Sequence, residues 1–380
     1  MNKNKTLRVL QVGMGPNPGG IESFIMTYYR QMVKRGIQFD FISMFPRIAY
    51  EDEIHSLGGK VFHTVDARKR PVRFFREMRY ILKKKNYDAV HVNMLSAANI
   101  VPLIAAKSAS VPVIAAHSHN SSTPGLTRNI LHRLNRGIIP GCATLYLACS
   151  EAAGEWLFPE RIRQGKNYHL IHNALDLDKF LFCEEQRRTV RKELGIEEKF
   201  VLGHVGRFEE QKNHFFLIEM FRLVAAERKD ALLLLVGDGE LRSAVEKKVR
   251  EYHLQEQVRF LGVRSDVDRL WKAMDIFVLP SLFEGLPIVA LEAQAAGVYS
   301  ILADTITREV KLTENVEFLP IDTSSQDAAL QWKEAIIAHA GCRPEEESCR
   351  KIRRQFQEAG YDIESAAGTL ALYYSGKQKM

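Results

Sequence analysis

The sequence predicts an α/β protein of two doubly wound, Rossmann-like domains, each built on a parallel sheet. Short apolar runs alternate with longer helical patterns from one end of the chain to the other, the mark of repeated strand–helix units. Glycine-rich turns follow several of those runs. The length of 380 residues, 46% of them apolar, supplies two cores rather than one.

Leu7–Val12, Phe39–Met44, Ala89–Val92 and Val113–Ala116 read as strands of a first sheet. Phe200–Val205, Leu232–Val236, Val258–Phe260 and Ile276–Leu279 read as a second set, with helical spacing in Glu22–Arg35 and Phe215–Arg228. Sheets of this kind bind ligands beyond the carboxyl ends of their strands. The boundary falls near Asn173–Phe180, giving a first domain over 1–175 and a second over 176–360. Glu184–Glu198 reads as a charged helix and turn leading into the second. The last helical pattern, Ile363–Tyr374 within 361–380, fits either domain, and packing back on the first is one arrangement open to it.

The formal charge is +7 and the isoelectric point near 9.0, an excess that fits nucleic acid, an anionic membrane or phosphorylated substrates. Cys142, Cys149, Cys183, Cys342 and Cys349 form neither a disulfide framework nor a CxxC metal pair, which points to a reducing cytoplasm. The MNKNKT start runs into LRVLQV with no apolar leader. Ala231–Val236 is continuously apolar but far too short to span a bilayer, so a buried strand is expected.

PSLFEGLPIVALEAQAAG, residues 280 to 297, is the most informative stretch. Glu284 precedes a helix, Glu292 lies inside it, and Gly285, Leu286 and Pro287 stand between, with Pro287 suited to the first helical position. A helix start leaves backbone N–H groups free for an anion. One carboxylate beside those donors and another on the helix suit a sugar at one end and a ribose at the other. GHVGRFEEQKN, residues 203 to 213, puts Gly206 and Arg207 at a strand end and Lys212 at the next helix, two cations for a pyrophosphate or else a solvated loop. VGDGEL and FLGVRSDV follow two further strands. Their turns at Gly237–Gly239 and Gly262–Arg264, with Val263 between the last two, present backbone to a nucleobase edge or are ordinary turns.

In the first domain GMGPNPGG, residues 13 to 20, reads as a ligand-facing loop, a plain turn, or a dinucleotide fingerprint whose acid is Asp40. Pro16 and Pro18 spoil the fingerprint spacing. His117 and His119 follow a strand, where they hydrogen-bond a sugar hydroxyl, serve the loop structurally, or form a metal pair with no third ligand in view. Asp176–Asp178 and Asp266–Asp268 are D-x-D triplets of the kind that hold divalent metal elsewhere, but each has a local structural explanation. Residues 67 to 86, ARKRPVRFFREMRYILKKKN, form a basic amphipathic helix running from Arg68 to Lys85, and Leu126–Arg136 adds an apolar and basic segment. Contact with an anionic membrane, core packing with solvated cations, and nucleic acid all remain open for it, though no nucleic-acid motif is present.

Together, the GG after the first strand, GRFEEQKN, VGDGEL, FLGVRSDV and FEGLPIVALEAQAAG resemble the retaining glycosyltransferases of family four (glycosyl transferases group 1), which have the GT-B fold. The likeness covers nearly the whole chain and is similar to that of bacterial capsule and exopolysaccharide enzymes. It implies a donor site in the cleft between two Rossmann-like domains, with the acceptor held by the first. It implies that Arg207 and Lys212 stabilise the diphosphate without metal or cofactor, that Glu284 contacts the donor sugar, and that Glu292 holds the ribose. Gly285 and Leu286 would offer amides, His117 would match the family's sugar-contacting histidine better than His119, and Gly20 would match the loop near the diphosphate. His172, Ala174 and Tyr299 depart from the family's usual Pro, Gly and Pro.

The implied activity is transfer of a hexose or N-acetylhexosamine, with retention, from a UDP-sugar to a glycan or polyprenyl-lipid-linked acceptor. The implied setting is cytoplasmic, peripheral on the inner face of the plasma membrane. A UDP-sugar epimerase of GT-B fold and a non-catalytic nucleotide- or dinucleotide-binding protein are the alternatives.

Overall fold

A computed structural model describes residues 6–120, 122, 125–321, 326–342 and 345–376. Residues 1–5, which carry most of the MNKNKT start, lie outside the described residues. The chain divides into two compact units, 1–175 with 360–380 and 176–359.

The first unit is a seven-stranded sheet, all parallel: β1 Leu7–Val12, β2 Ile37–Ser43, β3 Val61–His63, β4 Ala89–Met94, β5 Val113–Ser118, β6 Leu145–Ala148 and β7 Tyr168–Leu170. Their order is β3-β2-β1-β4-β5-β6-β7. The second is a six-stranded parallel sheet of β8 Phe200–Val205, β9 Ala231–Val236, β10 Val258–Gly262, β11 Ile276–Leu279, β12 Tyr299–Ala303 and β13 Val316–Leu319, ordered β10-β9-β8-β11-β12-β13. Each order starts at a central strand, winds one way, then returns to its other side. The turning points lie between β1 and β4 and between β8 and β11, and a crevice opens at such a point because successive connections leave on opposite faces.

Helices cover both faces, so the central strands are largely apolar and buried on both sides. In the first unit, Phe24, Tyr28, Phe39 and Tyr374 pack on one face, and Phe74, Met78, Leu82 and Leu103 on the other. The two-residue period of the strands sorts side chains between these layers. It also puts Gln11, His91, Asn93 and His117 on the first face, where Tyr374 of the Ile363–Tyr374 helix meets Gln11 and His91. That helix belongs to the first unit, held by the Leu175–Asp362 bridge and by its own apolar side.

The second unit is stapled at its start. On the Glu184–Leu194 helix, Arg187 reaches Asp275 at 2.5 Å and Arg191 reaches it at 3.3 Å, all three side chains buried. The Val201 N–H also donates to Asp275, and both guanidinium groups donate to backbone carbonyls of 272–274. Breaking such a saturated buried pair costs about 3–5 kcal/mol, because the remaining charge stays desolvated.

The structure bears on two of the alternatives that the sequence left open. The basic helix, Pro71–Lys85, buries Phe74, Met78 and Leu82, and Phe75 and Ile81 pack on the same core. Those side chains face the sheet, Val72 and Tyr80 of the same helix stay exposed, and Arg68 pairs with Asp66 and Arg73 with Glu77. Asp40 lies inside β2. It is buried and saturated by Arg8, by the Tyr87 hydroxyl at 2.7 Å and by the Lys60 N–H at 3.0 Å, which removes it as a ribose acid. Among the described residues no helix is long and apolar enough to cross a membrane.

Candidate active site

The turning point of the second sheet gathers residues that the sequence separates. The β8 strand ends at Val205 and β11 at Leu279, neighbours in space with two strands between them in the chain. The loop after β8 carries Lys212 at the end of a short 3-10 turn, Glu210–Lys212; the loop after β11 carries Glu284. Lys212 Nζ lies 2.5 Å from Glu284 Oε1, their side chains only 16% and 10% exposed. The loops are knit further, the Leu282 N–H donating to the Gln211 carbonyl at 2.8 Å and Gln211 Nε2 to the Phe283 carbonyl at 2.9 Å.

Glycines make this approach possible. A Cβ on Gly206 would stand 3.1 Å from the Lys212 methylenes, so its absence lets the lysine lie along the strand end. Gly237 has φ of +132°, and a Cβ there would meet the Gly206 carbonyl oxygen at 2.0 Å. Its N–H donates to the Gly262 carbonyl, so the turns after β8, β9 and β10 stack on one rim.

Pro287 proves to be the cap of the Ile288–Ala295 helix rather than its first residue. It contributes no side-chain acceptor, and the amides at that helix start are left uncapped by any side chain. Gly285 is exposed with nothing near its Cβ position, and Leu286 is partly buried. On the same helix Glu292 accepts from Trp271 Nε1 at 3.1 Å. Burial first, and nearby Asp268 in addition, push its carboxyl up to about 7, against the indole hydrogen bond that pulls it down.

Other expected residues stand apart from this pair. Arg207 points into solvent, 77% exposed, and pairs with Glu209 at 2.8 Å. Arg264 is held by Asp266 at 2.7 Å, and Val263 is 81% exposed. Both D-x-D triplets are engaged locally, Asp178 with Arg353 and Asp176 with Lys179 in the first and Asp266 with Arg264 in the second. Among the described residues no three or more His, Cys, Asp or Glu side chains cluster as metal ligands.

In the first unit His117 lies within β5 and not after it, with no exposed surface. Its Nδ1 is 3.0 Å from His91 Nε2, and its ring centroid is 4.0 Å from that of His119. His119, one residue past the strand, is partly exposed and bonded to Asn93 Oδ1 at 2.9 Å. Burial keeps all three rings neutral, with His91 and His119 lowered to about 3. Gly20 begins the Gly20–Lys34 helix, and the loop before it wraps a side chain that sequence reasoning overlooked. Glu22 accepts from the Gly15 N–H at 2.8 Å, and a Cβ on Gly19 would stand 2.8 Å from the same carboxylate. An acid in the first turn after a glycine loop was the available signal.

Also unforeseen are polar atoms buried at the second turning point. Ser281 Oγ, Asn213 Nδ2, His204 Nε2 and both ring nitrogens of His214 have no protein partner.

Comparison with known proteins identifies the family. The model described as glycosyl transferases group 1 matches residues 186–355, and that of Glycosyltransferase Family 4 matches 18–179. The chain is 35% identical over 376 residues to the putative glycosyltransferase EpsF of Bacillus subtilis (strain 168), covering 97% of this chain and 96% of that one. The chain belongs to the group 1 glycosyltransferases. This glycosyltransferase is also 30% identical over 231 residues to an Escherichia coli protein, UDP-Gal:alpha-D-GlcNAc-diphosphoundecaprenol alpha-1,3-galactosyltransferase, covering 59% of each. Its fold is GT-B, similar to that of Anabaena HepE solved in complex with UDP (TM-score 0.76, 18% identity, covering 97% of this chain and all of the other). Family membership decides for a transferase over a non-catalytic nucleotide-binding protein.

Proposed function

We propose that this glycosyltransferase moves a hexose or N-acetylhexosamine from a UDP-sugar to a glycan or polyprenyl-diphosphate-linked acceptor in bacterial surface polysaccharide synthesis. The transfer retains anomeric configuration and needs no metal. The observation that carries the reading is the Lys212–Glu284 pair at the turning point of the second sheet. A cation and a carboxylate side by side suit the junction between a nucleotide diphosphate and its sugar. The substrates named for the Escherichia coli relative support a UDP-sugar and a lipid-linked acceptor.

In this mechanism, negative charge grows on the departing diphosphate as the glycosidic bond breaks. Lys212 and the uncapped amides at Gly285, Leu286 and the start of the Ile288–Ala295 helix meet that charge. Glu284, drawn off its ion pair, accepts from sugar hydroxyls. Arg207 must leave Glu209 to add a second cation. Glu292 accepts from the ribose hydroxyls, and the unpartnered Ser281 hydroxyl and Asn213 amide suit further polar contacts. In the first unit, the partly exposed His119 rather than the enclosed His117 is the histidine open to a ligand. The acceptor hydroxyl attacks from the face that the leaving group vacates, and its proton passes to an oxygen of the departing diphosphate.

Calorimetric titration in EDTA with UDP, GDP, ADP and NAD, followed by sugars of the nucleotide that binds, tests this directly. Saturable UDP binding and sugar transfer to a diphosphoundecaprenyl-linked acceptor are expected. Binding of GDP or ADP alone would move the donor assignment. Release of epimerised free sugar without transfer would favour the epimerase.

A further inference from the structure

The second unit carries a cavity at the end of its sheet opposite the catalytic loops. The space, of about 580 Å³, opens where β12 and β13 begin, between the turn before β13, the end of the Gln326–Ala338 helix and the Ser348–Glu358 helix. That size falls within the range of small-molecule sites. Tyr299, the first residue of β12, stands in its wall. The ring stacks on His339 with 3.9 Å between centroids, and its hydroxyl lies 3.4 Å from Glu317 Oε2. In register Tyr299 sits beside Ile276 at the start of β11, whereas Glu284 follows that strand's other end. At roughly 3.3 Å per residue, the cavity and the catalytic rim stand about 10 Å or more apart along the strands.

The lining decides what chemistry fits inside. Two carboxylates, Glu314 and Glu345, stand against one ammonium, Lys351, and Glu314 already holds that ammonium at 2.7 Å. Such a wall repels phosphate, so a nucleotide or a phospholipid headgroup does not suit it. A divalent ion is served no better. Lys351 sits among the carboxylates, and no three metal-ligating side chains cluster among the described residues. Asn315 and Gln355 add carboxamides that take no protein partner among the described residues, each offering two donors and an acceptor. The Tyr299–His339 stack adds aromatic surface. Carboxylates, carboxamides and aromatic rings together match a neutral sugar. Its hydroxyls, which both donate and accept, find partners of either kind, while its ring C–H groups pack on aromatic carbon by dispersion.

We infer that this cavity is a second carbohydrate site, which takes neutral sugar residues of a glycan at the amino end of the second sheet, between Tyr299 and Gln355. It is not the place of transfer, because the Lys212–Glu284 pair lies beyond the carboxyl end. A glycan anchored there stays with the enzyme between transfers, which raises its effective concentration at the catalytic end. Sugar binding in the cavity depends neither on the donor's identity nor on the role of Lys212.

The test is calorimetry and saturation-transfer NMR on the full chain, with methyl α-D-glucopyranoside, methyl α-D-galactopyranoside and N-acetyl-D-glucosamine as probes. At least one of them should bind wild type saturably. Gln355→Trp fills the cavity from a partly exposed helix position, so its melting temperature and UDP binding should match wild type while sugar affinity falls about tenfold or more. Cys342, exposed at the cavity wall, gives a second readout. Bound sugar should slow its alkylation by iodoacetamide in wild type and leave the rate in Gln355→Trp unchanged. Wild type that binds none of these sugars would overturn the inference. So would a variant that binds them like wild type, which would put them in another site, or protection of Cys342 by inorganic phosphate instead of sugar. Loss of UDP binding with sugar binding intact would strike the donor reading alone.

Discussion

The Tyr374 hydroxyl lies 2.5 Å from His91 Nδ1, joining the last helix of the chain to a row of buried histidines. The directions of the hydrogen bonds follow from what each group can give. Gln11 Nε2 donates to the Tyr374 oxygen at 3.4 Å, so the tyrosine proton goes to His91 Nδ1. Neutral His91 then carries its proton on Nε2 and donates to His117 Nδ1, which leaves the His117 proton on Nε2. A helix about 280 residues downstream of His91 thus sets the tautomer of two histidines in the first sheet.

Tyr374→Phe keeps the ring that packs beside Phe39 but strips the proton from His91 Nδ1. A buried acceptor left unsatisfied costs about 1–3 kcal/mol, so the urea midpoint should fall with an unchanged slope. Nitrogen-15 spectra of the wild type should show the Nε2–H tautomer at His91 and His117. An Nδ1–H signal at His91 would reverse the assignment.

Acid stability should report the same histidines. Burial holds His91 and His119 down to about 3 and His214 to about 4, and lowers His117 and His204 well below the usual value. A folded value below the unfolded 6.5 means the unfolded chain binds the proton first. The stabilisation is therefore whole above pH 6.5 and drains as pH falls toward 3–4, by about 1.4 kcal/mol per pH unit for each such histidine. Chemical denaturation at pH 7.5, 6 and 5 should show stability dropping at each step below 6.5. A flat profile would mean that these rings are not kept neutral.

Much of the architecture was legible because doubly wound sheets leave a plain signature. Phe200–Val205 and Ile276–Leu279 are fully buried, the second of them continuously apolar, and they are strands as read. The strands that escaped notice were β3, β6, β7, β12 and β13. Val61–His63 and Tyr168–Leu170 have three residues each, too few for a period, and Glu317 interrupts Val316–Leu319. Chemistry was harder to read than topology. The approach of Lys212 to Glu284 spans 72 positions and depends on strand order, and no local spacing encodes that Arg207 swings to Glu209. Leu126–Arg136 was visible as apolar and basic residues, but which side of it faces inward is set by His132 and Asn135 bonding to Ala97.

Lys212→Ala and Arg207→Ala should separate by stability even where both reduce transfer. Removing Lys212 strands the mostly buried Glu284 carboxylate without its partner, so the melting temperature should fall. If Lys212 meets the leaving diphosphate, turnover should also drop about 100-fold or more. Arg207 is exposed, and its loss should leave the melting temperature where it is while donor turnover weakens. Unchanged kinetics in both variants would remove the diphosphate assignment.

Glu292 gives donor binding a pH dependence of known sign. With its carboxyl pushed up to about 7, the group is largely protonated at pH 6 and ionised at pH 8. Only the ionised form offers all its oxygen lone pairs to ribose hydroxyls, so UDP affinity should rise as pH climbs through about 7. Glu292→Gln cannot ionise, and its UDP affinity should be lower at pH 8 and level across the range. The Trp271 indole N–H keeps an acceptor in this variant, so the comparison tests charge rather than packing. Titration calorimetry from pH 6 to 8 on both proteins decides it. Parallel pH profiles for wild type and Glu292→Gln would place the ribose contact elsewhere.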